Sequence, residues 1–319
     1  MPLCNTRPTV GMTRKTGALM TVPRYTVGGA GWSPAGCVDL RASVTFACAD
    51  ASGGQIRPGV ATAGIDPGRL FPVYGPVFVE GIAAGDWVGV KVAGIEPTDS
   101  HGHVWTRPGL GVRPPQALSV RAVDLSSLRV DWAPWGRKLV LQRHHHVGTL
   151  GVFPRSEHVG RDVGDYGGNI DFAKVGAGST VWLRAQVDGG GIFMGDVHAA
   201  IGDGEVCGTG VEVAARVGVS FSRRQGKFGM LPRVERGRRV WVIGHGKSLD
   251  AAVAAGLEEV CAAVSRVGQM KSEDAYLASS LLLEIGVCQM VNPSATVAMS
   301  LRQGLDRWLL PWAGKEQAK

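Results

Sequence analysis

Glycine and proline make up one residue in five of this chain, with 47 glycines and 17 prolines among 319 residues. Both residue types are unfavourable inside helices, because glycine loses the most backbone entropy on folding and proline lacks the N–H donor. This composition argues against a helical bundle. A content of 45% hydrophobic and 19% charged residues also argues against disorder, because it supplies enough apolar surface for a core. We therefore expect a compact, turn-rich and mostly β protein.

Alternating apolar and polar residues indicate strands along most of the chain. Period-two strings run over residues 38–46, 88–92 and 179–187, and glycine-rich turn signals separate them. Two amphipathic helices are expected near the C-terminus, one with Ser248 as its N-cap and one that follows Ser272 and ends just before Gly286.

Many short strands at this spacing are typical of a sandwich or a barrel. The sequence therefore predicts a mainly β fold, with a β-sandwich or barrel-like body and a smaller α+β C-terminal portion. We divide the chain into a basic N-terminal arm over residues 1–24, a β-rich body that carries the candidate site over 25–221, and the α+β portion over 222–319.

The net charge of +7 comes from two basic segments, residues 1–24 and 216–247. No aromatic residues interleave with the basic run 223–227 as base-stacking platforms would, so we interpret it as a solvated loop and expect no nucleic-acid partner. No apolar run is long enough for a signal-peptide core or a bilayer span. We expect a cytoplasmic protein with no membrane partner.

Two groups of residues invite a functional interpretation that we do not adopt. The stretch 244–248 sits between a strand and a helix like a phosphate loop, but Trp241 stands where that loop needs a glycine. The histidines of 144–146, and the pair His101 and His103, offer at most two ligands per strand face to one ion. We interpret both histidine groups as polar surface.

Residues 195–212 form the most informative segment. Asp196 and His198 are two residues apart, so on a strand they point the same way and suit one divalent metal such as Zn²⁺. Nearby glycines permit a tight return that brings Glu205 or Glu212 toward them, where a carboxylate serves as a general base. Composition alone leaves open a polar, glycine-rich hairpin with solvated acids.

This segment resembles the acetamidase/formamidase family, whose members carry a run like GDxHAxxGDGEVxGTxxE. Further matching pieces occur in order, from about residue 38 to 301: residues 50–55, 75–81, 85–86, 167–171, 232–235, 273–276 and 291–292. The resemblance implies a hydrolase that converts a carboxamide to an acid and ammonia, in a β-rich fold with a smaller α+β part. It also implies a small-molecule amide substrate and a homo-oligomer.

The resemblance implies seven site residues by position. Their expected roles are metal binding by Asp50, Asp196 and His198, proton transfer by Glu205 or Glu212, and shaping of the pocket by Asn169 and Asp171. The implied cofactor is a divalent metal, with zinc preferred, and the implied nucleophile is a metal-activated water.

Two positions bear on how far this resemblance extends. Cys207 is interpreted as a packing residue rather than as a nucleophile, because the family pattern accepts other small residues there. Phe71 stands where the family usually has a histidine before proline. This departure leaves open a different substrate, such as a cyclic amide, or a catalytically altered or silent protein that binds a small ligand or a partner.

Overall fold

A computed structural model describes residues 24–25, 35–57, 65–132, 137–155 and 161–312. Within these residues the chain forms nineteen strands, two α-helices and two short 3-10 helices. The mainly β fold expected from the sequence is confirmed. The N-terminal arm expected over residues 1–24 lies outside the described residues, apart from Arg24.

The strands follow one another along the chain with few long interruptions. The first ten are β1 (Arg24–Tyr25), β2 (Gly36–Val38), β3 (Ser43–Cys48), β4 (Val73–Val79), β5 (Trp87–Pro97), β6 (His101–Thr106), β7 (Ser119–Asp124), β8 (Arg129–Trp132), β9 (Arg137–Val140) and β10 (His146–Val152). The others are β11 (Val163–Gly164), β12 (Gly167–Asn169), β13 (Ser179–Arg184), β14 (Ile192–His198), β15 (Ala215–Arg224), β16 (Arg233–Arg236), β17 (Arg239–Gly246), β18 (Leu283–Gln289) and β19 (Ala295–Leu301).

The described strands form three sheets. A seven-stranded sheet has the order β1-β4-β14-β10-β12-β11, with β2 added in parallel to β4. An eight-stranded sheet has the order β18-β19-β17-β16-β13-β5-β15-β3, and a four-stranded sheet has the order β6-β7-β8-β9. Strand β15 crosses residues 221 and 222, so the eight-stranded sheet joins the expected body to the expected C-terminal portion. The division into domains stays a prediction.

The seven- and eight-stranded sheets share one buried core. Val77 and Ile192 of the first sheet lie in the same apolar cluster as Val90 and Val181 of the second. Because successive strand residues point to opposite faces, Trp182 emerges on the other side of the eight-stranded sheet, in a second apolar cluster. The eight-stranded sheet is therefore the middle layer of the molecule.

Two α-helices follow β17 in the chain. Helix α1 (Leu249–Gly268) begins at Ser248, whose side chain accepts a hydrogen bond from the Ala251 N–H, as the sequence predicts. Its apolar face, with Val260 and Val264, packs against the second cluster on the middle layer. Helix α2 (Ser272–Leu282) ends four residues earlier than Gly286, because β18 already begins at Leu283 and pairs with β19. No helix in the described ranges combines the length and apolar character that a bilayer span requires.

Within the basic segment 216–247, the run 223–227 that was expected to be a solvated loop is divided. Arg223 and Arg224 end β15, and residues 225–227 form the loop after it, with Gln225 and Lys227 exposed. Arg223 forms an ion pair with Asp86 at 2.7 Å, and the buried Arg233 forms one with Glu259. Several of its charges are therefore balanced inside the protein.

Candidate functional site

The candidate site lies where β10, β12 and β14 of the seven-stranded sheet meet the loop over residues 199–214. Strand β14 ends at His198, and β10 begins at His146, its direct partner in the antiparallel ladder. Strand β12 ends at Asn169, and the Asp171 N–H donates to the Gly148 carbonyl of β10 at 3.0 Å. Three neighbouring strand ends thus deliver polar side chains to one place.

Glu212 returns to His198 through the loop, as the glycine spacing indicates. An isolated bridge joins the backbones of His198 and Glu212, and a second one joins Glu212 to His103 of β6. The His198 Nε2 atom lies 3.0 Å from Glu212 Oε1 and 3.5 Å from Asp196 Oδ1. Asp196 and His198 therefore do share a face, and Glu212 joins them.

Asp171 is held by amide donors on one of its two oxygens. The side-chain NH₂ groups of Asn169 and Asn292 both donate to Asp171 Oδ2, the latter at 3.3 Å. Thr149 Oγ1 donates to Asn169 Oδ1 at 2.6 Å, which orients the Asn169 amide. The second oxygen, Oδ1, is buried and has no hydrogen-bond partner among the described residues, so it is available to a ligand.

Atoms of the types that can ligate a metal converge in two overlapping groups. One group is Asp171, Asp196 and His198, the other is His198, Glu205 and Glu212, and within each the ligand atoms lie within 4.8 Å of one another. Five buried polar atoms at the site have no hydrogen-bond partner in the described structure: His103 Nε2, Asp171 Oδ1, Asp196 Oδ1, Glu205 Oε2 and Glu212 Oε2. Unpartnered buried oxygens of this kind are costly unless a ligand or an ion meets them.

The pKa values of these groups reflect their burial and crowding. Burial, and then the charge of Asp196, raises the pKa of Asp171 to about 8. Burial also raises the pKa of Glu212 to about 7 and that of Glu205 well above its usual range. Burial lowers the pKa of His198, but the charges of Glu212 and Asp196 outweigh it, so the pKa is raised well above its ordinary value. Perturbed groups of this kind concentrate at functional sites.

The backbone at the site is strained. Asp171, Asp196 and Glu205 have φ values of 49°, 55° and 47°, a left-handed conformation that residues other than glycine rarely adopt. Phe71, close by, has φ of 50°. These four are the majority of the seven non-glycine residues with positive φ in the described ranges. Such strain persists where the surroundings hold side chains in a required place.

Asp50 occupies a different position from the other proposed ligands. Its Oδ1 accepts hydrogen bonds from the backbone and side chain of Ser52, and it lies 3.8 Å from His103 Nε2. Asp50 belongs to neither convergent group, whereas Asp171, expected only to shape the pocket, belongs to one.

The interpretation of His103 and His146 as polar surface is wrong. His103 is 5% exposed and His146 is fully buried. His146 Nε2 lies 3.0 Å from His198 Nδ1, and His146 Nδ1 lies 3.2 Å from the His144 carbonyl oxygen. The local pattern gives no signal for this, because His198, the partner of His146, stands 52 residues further along the chain.

Two further residues border the site. Cys207 is half-buried, and its thiol donates to the Thr209 carbonyl at 3.4 Å, an arrangement that agrees with a packing role. Phe71, the departure from the family pattern, donates its N–H to the Ala51 carbonyl at 2.8 Å. The guanidinium of Arg161 stands over the Phe71 ring, 4.9 Å from its centre.

Known sequences show the same relationship that the motifs indicate. The sequence profile of the acetamidase/formamidase family matches residues 159–232. A Schizosaccharomyces pombe protein, provisionally classed as a formamidase, is 22% identical over 256 residues. That match covers 58% of this chain and 61% of the relative, so this chain spans about three-fifths of the relative's length.

Solved structures agree over more of the chain. A predicted acetamidase/formamidase from the thermophile Thermoanaerobacter tengcongensis has a TM-score of 0.82 at 26% identity, over 91% of this chain and 99% of its own. An acetamidase from Bacillus halodurans has a TM-score of 0.79 at 26% identity, over 88% and 96%. A gamma lactamase from Delftia acidovorans shares the fold alone, at 18% identity and a TM-score of 0.57, over 86% and 87%. The resemblance seen in the motifs is therefore confirmed: this chain is similar to acetamidase/formamidase proteins in sequence and in fold.

Proposed function

We propose that this chain hydrolyses a small carboxamide to an acid and ammonia, with the help of a divalent metal held by the buried cluster. The observation that carries the proposal is the convergence of free, buried carboxylate oxygens around His198 Nε2. The names of the relatives, acetamidase and formamidase, support an amide as the substrate class.

The residues present fit a divalent metal. Asp171 Oδ1 and Asp196 Oδ1 are buried without hydrogen-bond partners among the described residues, and both carboxylates form one group with His198. Several carboxylates buried close together repel one another and lose their hydration, and a bound cation offsets this unfavourable free energy. One imidazole with carboxylates is a donor set that Zn²⁺ and related ions accept. We propose Asp171, Asp196 and His198 as the ligands. Asp171 takes the place in this ligand set that the family resemblance assigned to Asp50.

The orientation of His198 supports this assignment. The hydrogen bond to the His144 carbonyl requires an N–H at His146 Nδ1, so a neutral His146 accepts at Nε2. His198 then donates from Nδ1 to His146, and a neutral His198 has its lone pair on Nε2, toward the carboxylates. A metal-ligating histidine is commonly oriented by such a bond from its other nitrogen.

A divalent cation bound there supplies a Lewis acid for the amide carbonyl and a more acidic water. Glu205 is suited to move the proton, because its Oε2 is buried beside the cluster and has no hydrogen-bond partner among the described residues. Glu212 lies beside the same nitrogen, with Oε1 3.0 Å from His198 Nε2 and accepting from the Gly210 N–H, so it adds negative charge next to the bound cation. In this scheme Glu205 takes a proton from the attacking water and delivers it to the departing nitrogen.

The test combines elemental analysis of tag-free protein with an ammonia assay over simple and cyclic amides. We expect about one divalent ion per chain and release of ammonia from a short amide. Asp196→Asn should lose both the metal and the turnover. Glu205→Gln should keep the metal and lose at least about 100-fold in kcat. Full activity of wild-type protein stripped of metal overturns the proposal.

A second candidate is a protein that binds an amide or a related ligand without hydrolysing it. Phe71 favours this candidate, because it replaces the residue that the family pattern usually shows. Amide binding measured by calorimetry, with no ammonia released by metal-loaded protein over the same panel, is the result expected for it.

A further inference from the structure

Arg161 brings a positive charge to the edge of the acidic cluster. Its guanidinium stacks on Phe71, and its Nε donates to Asn292 Oδ1 at 3.2 Å. Asn292 in turn donates to Asp171 Oδ2 at 3.3 Å. The Phe71 ring contacts one face of the guanidinium and Asn292 contacts its Nε edge. Through Asn292, the guanidinium is linked to Asp171, a proposed metal ligand.

The remaining donors of Arg161 have no partner within the described residues. The charges of Asp196, Glu205 and Asp171 act on Arg161, yet none of these carboxylates comes within the 4.0 Å of an ion pair. Arg161 therefore feels the charge of the cluster without forming an ion pair with any of these three carboxylates. A planar guanidinium with free terminal N–H groups is the donor that carboxylates bind best.

A second arginine, Arg107, adjoins the loop that carries Glu205, because the hydroxyl of the preceding Thr106 donates to the Cys207 carbonyl at 3.2 Å. Burial lowers the pKa of Arg161, and the positive charge of Arg107 lowers it further. Arg107 Nε is buried and has no hydrogen-bond partner in the part of the chain described. Two nearby cations, one with an unsatisfied buried donor, are costly unless an anion joins them.

We propose that Arg161 and Arg107 bind a carboxylate on the acyl side of the substrate, so that the substrate is the monoamide of a short dicarboxylic acid. This inference rests on the proposed amide hydrolysis and names its substrate class. Water adds to the amide carbon, the C–N bond breaks, and the amine nitrogen leaves as ammonia with the transferred proton. The product is a dicarboxylate, whose second carboxylate was already bound.

Phe71 fits this assignment. An aromatic ring stabilises a guanidinium on its face while its edge donors stay free for a ligand. The residue that departs from the family pattern is thus the one that supports Arg161. The alternative is that Arg161 only offsets the negative charge of the buried acids and binds no substrate. In that case its loss changes kcat/KM for charged and uncharged amides equally.

The first experiment compares succinamate with 4-methylpentanamide, its uncharged isostere. We expect the wild-type protein to prefer succinamate in kcat/KM. Arg161→Met should lower kcat/KM for succinamate by about 30-fold and for the isostere by less than about 3-fold, and Arg161→Lys should lose less than Arg161→Met. Arg107→Met should act in the same direction. Arg41→Met, which removes an exposed charge near the turn before β3, is the control and should change neither.

Equal losses for both amides in Arg161→Met, or no wild-type preference, overturn the proposal. Calorimetric binding of succinate separates this failure from that of the proposed function. Succinate binding that Arg161→Met abolishes supports the anion subsite even when no amide is turned over. Ammonia release from uncharged amides without succinate binding supports hydrolysis and overturns the subsite.

Discussion

His146 determines how the His198 ring meets the carboxylates. The 3.0 Å contact between the two rings turns His198 Nε2 toward Asp196 and Glu212. This contact joins two strands at the level of single atoms, and neither histidine performs the role alone.

Replacement of His146 by leucine tests this dependence. We expect His146→Leu to weaken metal affinity about 10- to 100-fold, because His198 loses the acceptor for its Nδ1–H. His146→Gln, which keeps an acceptor, should recover part of the loss. The measurement is a competition titration against a chromophoric chelator. His101→Gln, on an exposed side chain of β6, is the control, and equal effects at both positions would contradict the assignment.

Gly148 lies beneath the site and leaves no room for a side chain. A Cβ there meets Asp171 Oδ1 at 2.5 Å and His198 Cε1 at 2.9 Å. We expect Gly148→Ala to cost about 1–3 kcal/mol in unfolding free energy and to depress amide turnover. Gly94→Ala in β5, where a Cβ meets nothing within 4 Å, should cost nothing in either assay. Urea unfolding and the ammonia assay measure both, and a neutral Gly148→Ala contradicts the packing described.

The predictability of the site residues depends on sequence distance. Asp196, His198 and Glu212 lie in one short segment, so their spacing and the glycines between them indicate their convergence. His146 and His103 are invisible to the same reasoning, because their burial comes from β14 and from the return of Glu212. The sequence places Asp171 near the site. The orientation of its carboxylate, however, depends on a hydrogen bond that Asn292, 121 residues away, donates to Oδ2.

Helix α1 illustrates what local sequence determines well. Its apolar period and its Ser248 cap identify the element and its first residue, because both depend on neighbours within one turn. We expect Ser248→Ala to lower the unfolding free energy by about 1 kcal/mol through loss of the bond from the Ala251 N–H. Ser272→Ala, at the start of α2, removes no capping bond and serves as the control in the same denaturant titration. Equal stability of both variants contradicts a capping role.

Strand boundaries are less well determined by pattern. The alternating string 38–46 predicts one strand, but the structure breaks it into β2 and β3. The break is a turn in which Asp39 Oδ1 accepts from the Arg41 N–H at 2.7 Å and the Asp39 carbonyl accepts from the Ala42 N–H at 2.9 Å. The strand thus ends at Asp39, because the Asp39 side chain accepts a hydrogen bond from the backbone two residues further on and stabilises a turn there.

At the scale of the whole molecule, packing of the sheets buries the carboxylates of the candidate site. Three carboxylates, Asp171, Asp196 and Glu212, are each less than 5% exposed, which a small solvated hairpin does not achieve. The sequence predicts the mainly β class, but not that one eight-stranded sheet includes strands from both ends of the chain. Such pairing depends on contacts between distant segments. The homo-oligomer stays a prediction.

Metal removal should make stability depend on pH. Folding raises the pKa of Asp171 to about 8 and of Glu212 to about 7, so the folded metal-free protein holds protons that the unfolded chain releases. Stability is then greatest below pH of about 4 for these groups and is lost as the pH rises toward 8. We expect the Tm of chelator-treated protein to fall between pH 5 and 8 relative to the metal-loaded protein. Parallel curves for the two forms contradict the proposed metal site.

The most direct test of the account is a metal titration of stripped protein followed by ammonia release. We predict that the metal-free protein is inactive and that activity rises linearly with added Zn²⁺, or another divalent ion, to a break at about one equivalent per chain. Asp196→Asn protein should show no such rise. Activity in the stripped protein equal to that of the native protein, with no response to added metal, contradicts the central claim.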